Sequence, residues 1–186
     1  MINKLSLATL ATMSALALQG CNLDLGQSAA APANRPPAAD YQQALPASPP
    51  ATNIRGICYT PADLATYRAR MLQMELNVIT LQCQGPGGAR AYESQYAAFL
   101  NKFKNDLVTN TRNLNQLAGR KRFNVDSIVT EFANRTGQRA QVDKEFCARG
   151  KRAFDWALSP QVTSIAQVPP PYDIGPEMNV YPCPSP

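Results

Sequence analysis

Five cysteines carry most of the chemistry this sequence can offer: Cys21, Cys58, Cys83, Cys147 and Cys183. Cys21 follows an uncharged apolar run from Leu5 to Leu18, with Lys4 ahead of it and Leu18-Gln19-Gly20 directly before it. A short basic region, an apolar stretch and a small residue at the cut mark a secretory leader over residues 1–20. The run is too short to span a bilayer as a helix. Leu18-Gln19-Gly20-Cys21 resembles a bacterial lipobox, and that resemblance implies a diacylglycerol on the Cys21 sulfur, cleavage after Gly20 and acylation of the new amino terminus. Two or three acyl chains hold a protein firmly, because each buried methylene contributes about 0.8 kcal/mol. Asn22 stands where aspartate would argue for inner-membrane retention, so the expected location is the periplasmic face of an outer membrane.

Assigning Cys21 to lipid leaves four cysteines. An even number in an exported chain implies two disulfides, and four cysteines allow three pairings. Cys58 and Cys83 lie at opposite ends of a helical segment about 37 Å long, far beyond the roughly 7 Å that a disulfide tolerates between alpha carbons. In an up-down bundle the end of the first helix adjoins the start of the fourth. Geometry therefore selects Cys83–Cys147 and Cys58–Cys183. Neither a CxxC pair nor any histidine is present, so metal-ligating and redox spacings are missing and no cofactor is implied.

The lack of histidine also removes the commonest general base and the Ser-His-Asp and Cys-His arrangements. Glu75 and Asn77, and Asp126 with Glu131, are the carboxylates and amides that fall near apolar stripes, and their spacing makes no paired-carboxylate site. Arg120, Lys121, Arg122, Arg149, Lys151 and Arg152 form a candidate basic face for lipopolysaccharide, a cell-wall polymer or an acidic partner protein. The net charge of +5 is modest, and with no DNA- or RNA-binding motif a nucleic-acid partner is not expected.

The elements that must position these residues are legible as helices. Of 16 prolines, all but Pro61 and Pro86 lie in 32–50 or 160–186, which separates two Pro-rich ends from a middle section. Residues 21–57 are expected to be the lipid anchor and a disordered Ala/Pro-rich tether. Residues 58–159 should be the helical domain, and 160–186 a Pro-rich tail lying on the core through Val168, Tyr172, Ile174, Met178, Val180 and Tyr181. Thr60-Pro61-Ala62-Asp63 starts a helix with a hydroxyl cap, proline at the first position and an acid three residues after the cap. Leu64, Tyr67, Met71, Met74, Val78 and Leu81 then share one face, widened by Leu72, Leu76 and Ile79, until Gly85-Pro86-Gly87-Gly88 stops the helix. A second helix is expected over about 91–118, a third over 125–135 capped by Asn124, and a fourth over 141–158. The fold class is all-α, a small antiparallel up-down bundle of about four helices, stapled by disulfides.

Leu72-Gln73, Leu76, Val78, Leu81 and Cys83, followed by Tyr96, Phe99, Leu107, Asn110, Ala133-Asn134 and Phe146-Cys147, resemble a poorly characterised alphaproteobacterial family of small exported helical proteins. The resemblance covers about 68–158 and implies the fold and the Cys83–Cys147 bond. Some members are labelled S-adenosylhomocysteine hydrolase, but this chain has no Gly-rich dinucleotide loop after a strand and no histidine to support that chemistry. Three functions fit these observations. The leading one is a non-enzymatic adaptor or accessory of a periplasmic or outer-membrane assembly. The others are a carboxylate-dependent cell-wall or glycan hydrolase, and a carrier of small apolar ligands with a cavity among Met71, Met74, Phe99, Phe103 and Phe132.

Overall fold

The computed structural model describes residues 37–43, 58–175 and 178–183. Cys21, the leader 1–20 and the rest of the 21–57 stretch lie outside them. The described chain is mostly helical: β1 Cys58–Tyr59, α1 Pro61–Gln82, α2 Glu93–Lys102, α3 Lys104–Lys121, α4 Val125–Val142, α5 Phe146–Leu158 and β2 Tyr181–Pro182. Two short 3-10 turns, Pro86–Gly88 and Ile165–Gln167, complete it.

α1 begins as its sequence dictates. The Thr60 hydroxyl accepts from the Asp63 amide, and the Asp63 carboxylate accepts from the Thr60 amide. Both orphan donors at the helix start are thereby satisfied. Twenty-two residues make α1 about 33 Å long. It is the central element, packed by α3, α4 and α5, while α2 packs mainly on α5. Against α5 the approach is close: a Cβ added at Gly150 would stand 2.4 Å from Ile79 Cγ2. Leu81, expected on the buried stripe, is instead largely exposed at the helix end.

Three helix boundaries differ from the expectation, each because tertiary contacts outweigh local signals. The single helix expected over 91–118 breaks at Phe103, which has φ −103° and ψ 20°. The break lets Phe99 and Phe103 both bury completely, 5.2 Å apart, and frees α3 to turn Leu107, Leu114 and Leu117 inward. Lys102 fixes the joint by donating to the Ala157 and Ser159 carbonyls at the end of α5. α4 does not stop at Arg135 but runs through Gly137 to Val142. Its extra turns place Ala140 on the core and Arg139 over the Tyr172 ring, and burial of this kind outweighs one helical glycine. Residues 141–145 consequently end α4 and turn the chain, and α5 starts at Phe146 rather than Gln141.

The ends also depart from a purely helical reading. β1 and β2 pair in parallel, Cys58 with Tyr181 and Tyr59 with Pro182. The disulfides are Cys58–Cys183 and Cys83–Cys147, with Cα separations of 4.6 and 5.7 Å. The tail lies on the helices and buries Val162, Ile165, Val168, Tyr172 and Val180. Part of the expected disordered tether is ordered: at 37–43 the Tyr41 side chain is fully buried, and Gln43 pairs with Tyr172 as an isolated parallel bridge. A single large aromatic supplies the apolar area that the Ala/Pro-rich sequence around it lacks.

The core has two parts. Leu72, Leu76, Ile79, Phe99, Phe103 and Phe154 belong to a larger cluster that takes in Tyr41 and Tyr172. Tyr59, Tyr67, Met71, Leu117, Phe132 and Val180 form a smaller one, with the Tyr67 ring edge-on to Tyr59 at 5.4 Å and to Phe132 at 5.9 Å. Met71 and Phe132 thus sit in one cluster and Phe99 and Phe103 in the other. The five residues named for a ligand cavity are therefore divided between two parts of the core.

Candidate functional site

The densest gathering of charged and hydroxyl groups in the described residues surrounds Tyr172, where the tail crosses α1, α4 and α5. The ring is buried and lies 6.1 Å from the near-parallel ring of Phe146. The guanidinium of Arg139 approaches it at 4.7 Å and that of Arg149 at 5.6 Å. Its hydroxyl donates to Asp143 Oδ2 at 2.6 Å, and its amide donates to Glu75 Oε2 at 3.2 Å. Arg149 also donates from Nε to Asp143 and from Nη1 to the Tyr41 carbonyl. The Tyr41 hydroxyl in turn donates to the Pro169 carbonyl at 2.7 Å. One neighbour along, Asp173 receives a two-point pair from Arg68 at 2.7 and 3.0 Å.

The electrostatics follow from this geometry. Burial raises the Asp143 carboxyl, but the Tyr172 hydroxyl, the Glu145 amide and Arg149 outweigh it and hold the group below the usual carboxylate range. Burial pushes the Tyr172 hydroxyl up, and the adjacent Asp143 pushes it further. Glu75 shows the opposite balance. It is buried within α1, and desolvation lifts it well above its ordinary value despite the Tyr172 amide and the Arg139 charge, with Asp173 adding to the rise.

Glu75 therefore binds its proton more tightly in the folded chain than in the unfolded one. Its neutral form costs nothing below the ordinary value of 4.5, and stability falls as pH rises from there through the folded-state value. Asp63 and Asp143 act in the other sense, since Asp63 is also held low, burial being outweighed there by Thr60 and Arg120. Their stabilisation is present above the usual carboxylate range and fades in acid. Glu75→Gln is accordingly expected to match the parent below about pH 4.5 and to be the more stable protein at pH 7 to 8, by about 1.4 kcal/mol for each pH unit over which the parent declines. Urea midpoints measured from pH 4 to 9 test this; parallel profiles for the two proteins would rule it out.

Two cavities adjoin the cluster. Glu75 and Asp173 both line a cavity of about 10 Å³ together with Met71, Phe132 and Thr136, which is room for about one water molecule. A hydrolase needs two carboxylates flanking a space that admits a sugar. This pair has no such space, and Arg68 already occupies both oxygens of Asp173. On the far side of the Arg68–Asp173 pair a groove of about 290 Å³ runs between α1 and the tail, walled by Ala65, Ala69, Val168 and Pro169. It is at the lower limit of small-ligand pockets.

The six residues named for a basic face are divided between the end of α3 and α5. Arg120 pairs with Asp63 at the start of α1, at 2.7 Å, while α5 lies against Ile79 near its end through Gly150. Those points are about 24 Å apart along α1. Lys121 donates to the Cys58 carbonyl and lies over the Tyr59 ring, and Arg122 is exposed in the left-handed cap of α3. Arg149 pairs with Asp143, Lys151 with Asp155 and Arg152 with Asp40. Reading runs of basic residues along the chain missed these carboxylate partners, of which Asp63, Asp143 and Asp40 lie outside the helix of the basic residue and Asp155 lies one turn along α5 from Lys151.

Sequence reasoning noted Glu75 but missed Tyr41, Arg139, Asp143 and Asp173 as its companions. A lone tyrosine in an Ala/Pro-rich stretch was the available signal for Tyr41. No group of three or more potential metal ligands occurs among the described residues, and no helix among them is long and apolar enough to cross a membrane. Compared with protein-family models, curated proteins and solved structures, the chain matches none.

Proposed function

We propose that this chain is a bacterial envelope lipoprotein, tethered to the periplasmic face of an outer membrane through lipid on Cys21, and that its domain, an antiparallel up-down bundle, serves as a non-enzymatic adaptor or accessory in an envelope assembly. The observation that carries the adaptor reading is the engagement of the Tyr172 cluster. Its carboxylates and guanidinia fasten residues 37–43 and the tail to the helices, so they act as clasps and not as reactive groups. The two disulfides support export, since such bonds persist in oxidising compartments. The lipobox-like Leu18-Gln19-Gly20-Cys21 supports the anchor.

Cells producing the full chain and Cys21→Ser, fed an alkyne-tagged fatty acid and then crosslinked, test both halves. The expected result is label on the parent, none on the variant, and a crosslinked species heavier than the chain. Unlabelled parent protein would end the anchor reading, and a lone monomer after crosslinking would end the adaptor reading.

A further inference from the structure

Arg70 stands apart from the other half-buried arginines. The half-buried Arg68, Arg135, Arg149 and Arg152 and the exposed Arg120 each pair with a carboxylate, and the charge of Arg139 acts on Glu75. Arg70 has no carboxylate partner among the described residues. Its Nη1 donates to Gln73 Oε1 at 2.8 Å and its Nη2 to Thr111 Oγ1, both neutral oxygens, while its Nε is buried without a partner. Beside Thr111 on α3, Asn110 spends its Nδ2 on the Thr66 carbonyl at 2.8 Å and leaves its own Oδ1 buried and unpartnered. Tyr96 of α2 faces the same spot, close enough for its titration to feel the Arg70 charge. A guanidinium taken partly out of water without an anion is costly, and a fork of N–H donors matches the oxygens of a phosphate or carboxylate. The seam opens outward where Thr111 is exposed, so a ligand can reach it.

We propose that the seam between α1 and α3 is an oxyanion site, in which Arg70 grips a phosphate group from two sides of its fork, Thr111 and Gln73 turn to hold its remaining oxygens, and Asn110 Oδ1 accepts from a hydroxyl on or beside the phosphate. The pairing of a cationic donor with a neutral acceptor fits a hydroxyl-bearing phosphate ester better than a bare carboxylate. Such a group occurs both as a free phosphate and on a lipid headgroup.

The test uses the purified full chain in nonionic detergent, following the Arg70 Nε–H resonance at constant ionic strength. Two titrations separate the sources: inorganic phosphate to about 50 mM, well beyond a millimolar Kd, and mixed micelles containing phosphatidylglycerol against micelles containing phosphatidylcholine. Saturable shifts with inorganic phosphate identify a site for the free group. Shifts only with phosphatidylglycerol identify the lipid. No saturable response to either overturns the proposal. Binding by isothermal titration should weaken about tenfold or more in Arg70→Lys, which keeps the charge and loses the fork, and less in Thr111→Val at the exposed rim. Arg112→Gln, one position along α3, should bind as the parent does. Unaltered binding in both Arg70→Lys and Thr111→Val would also overturn it, and the rim variant keeps the test open should the other fail to fold.

Discussion

Replacing Tyr172 by alanine should lower the unfolding free energy by about 4 kcal/mol, within the range for truncating a buried aromatic. The side chain is 1% exposed and links five groups from three helices: Phe146 by ring contact, Arg139 and Arg149 across its face, Asp143 by its hydroxyl and Glu75 by its amide. Alanine keeps only the last. Removing the ring opens a cavity and takes from the Arg139 and Arg149 guanidinia the aromatic face they lie against, so packing and cation–π losses act together. Tyr172→Phe separates them. It keeps the ring contacts and loses one hydrogen bond to an ionised carboxylate, a change of about 1.5–3 kcal/mol at most, softened here because Asp143 still receives Arg149 and the Glu145 amide. Guanidinium titrations of the three proteins should rank them parent, Phe, Ala. Equal losses in the two variants would mean that the hydroxyl, and not the ring, holds the tail.

The disulfides should show the second large effect. By sequence separation Cys58–Cys183 closes a loop of 125 residues and Cys83–Cys147 one of 64, which suggests that the first is the stronger staple. The loops are nested, however. With the inner bond closed, 64 of the 125 positions are bridged and only 61 remain to be restrained by the outer one. Chain-entropy arguments then assign each bond about 4 kcal/mol when the other is present. Cys58→Ser/Cys183→Ser and Cys83→Ser/Cys147→Ser should therefore lose similar stability, and the chain lacking all four cysteines should be largely unfolded, given that domains of this size hold only about 5–15 kcal/mol. Denaturant midpoints check the ranking. A loss near zero for the outer pair would mean that β2 and the tail contribute little to the cooperative unit.

Local signals in the sequence were reliable where one short motif determines the outcome. Thr60 to Asp63 specify the start of α1, Asn124 caps α4 by accepting from the Ser127 amide, and Gly85 to Gly88 end α1 with two glycines at positive φ. They were misleading where packing decides. Nothing at Phe103 marks a break, because the break exists to bury two phenylalanines against α5. Gly137 looks like a stop, yet Arg139 and Ala140 beyond it have partners that keep α4 going. The site was least legible of all. Glu75 could be noticed as a carboxylate on an apolar stripe, but its partners come from residues 41, 139, 143 and 172–173, whose proximity depends on where the tail lies. The same holds for the basic residues: a run along the chain says nothing about Asp63, Asp143 or Asp40 waiting on another element.

The parallel pairing of Cys58 with the end of the chain has a mechanical meaning. Residue 58 precedes the first helix and residue 183 follows the last strand, yet their alpha carbons are 4.6 Å apart and covalently linked through sulfur. Tension applied between Cys58 and Cys183 would pass from one to the other through that single bond and load none of the five helices, whereas a pull from ahead of residue 37 would first meet the bonds of Asp40, Tyr41 and Gln43 to α4 and α5. A pull between Cys58 and a partner bound elsewhere on the domain would, by contrast, divide at Cys58 between α1 and the tail. The domain is thus insulated from stretching along one axis and sensitive to it along others.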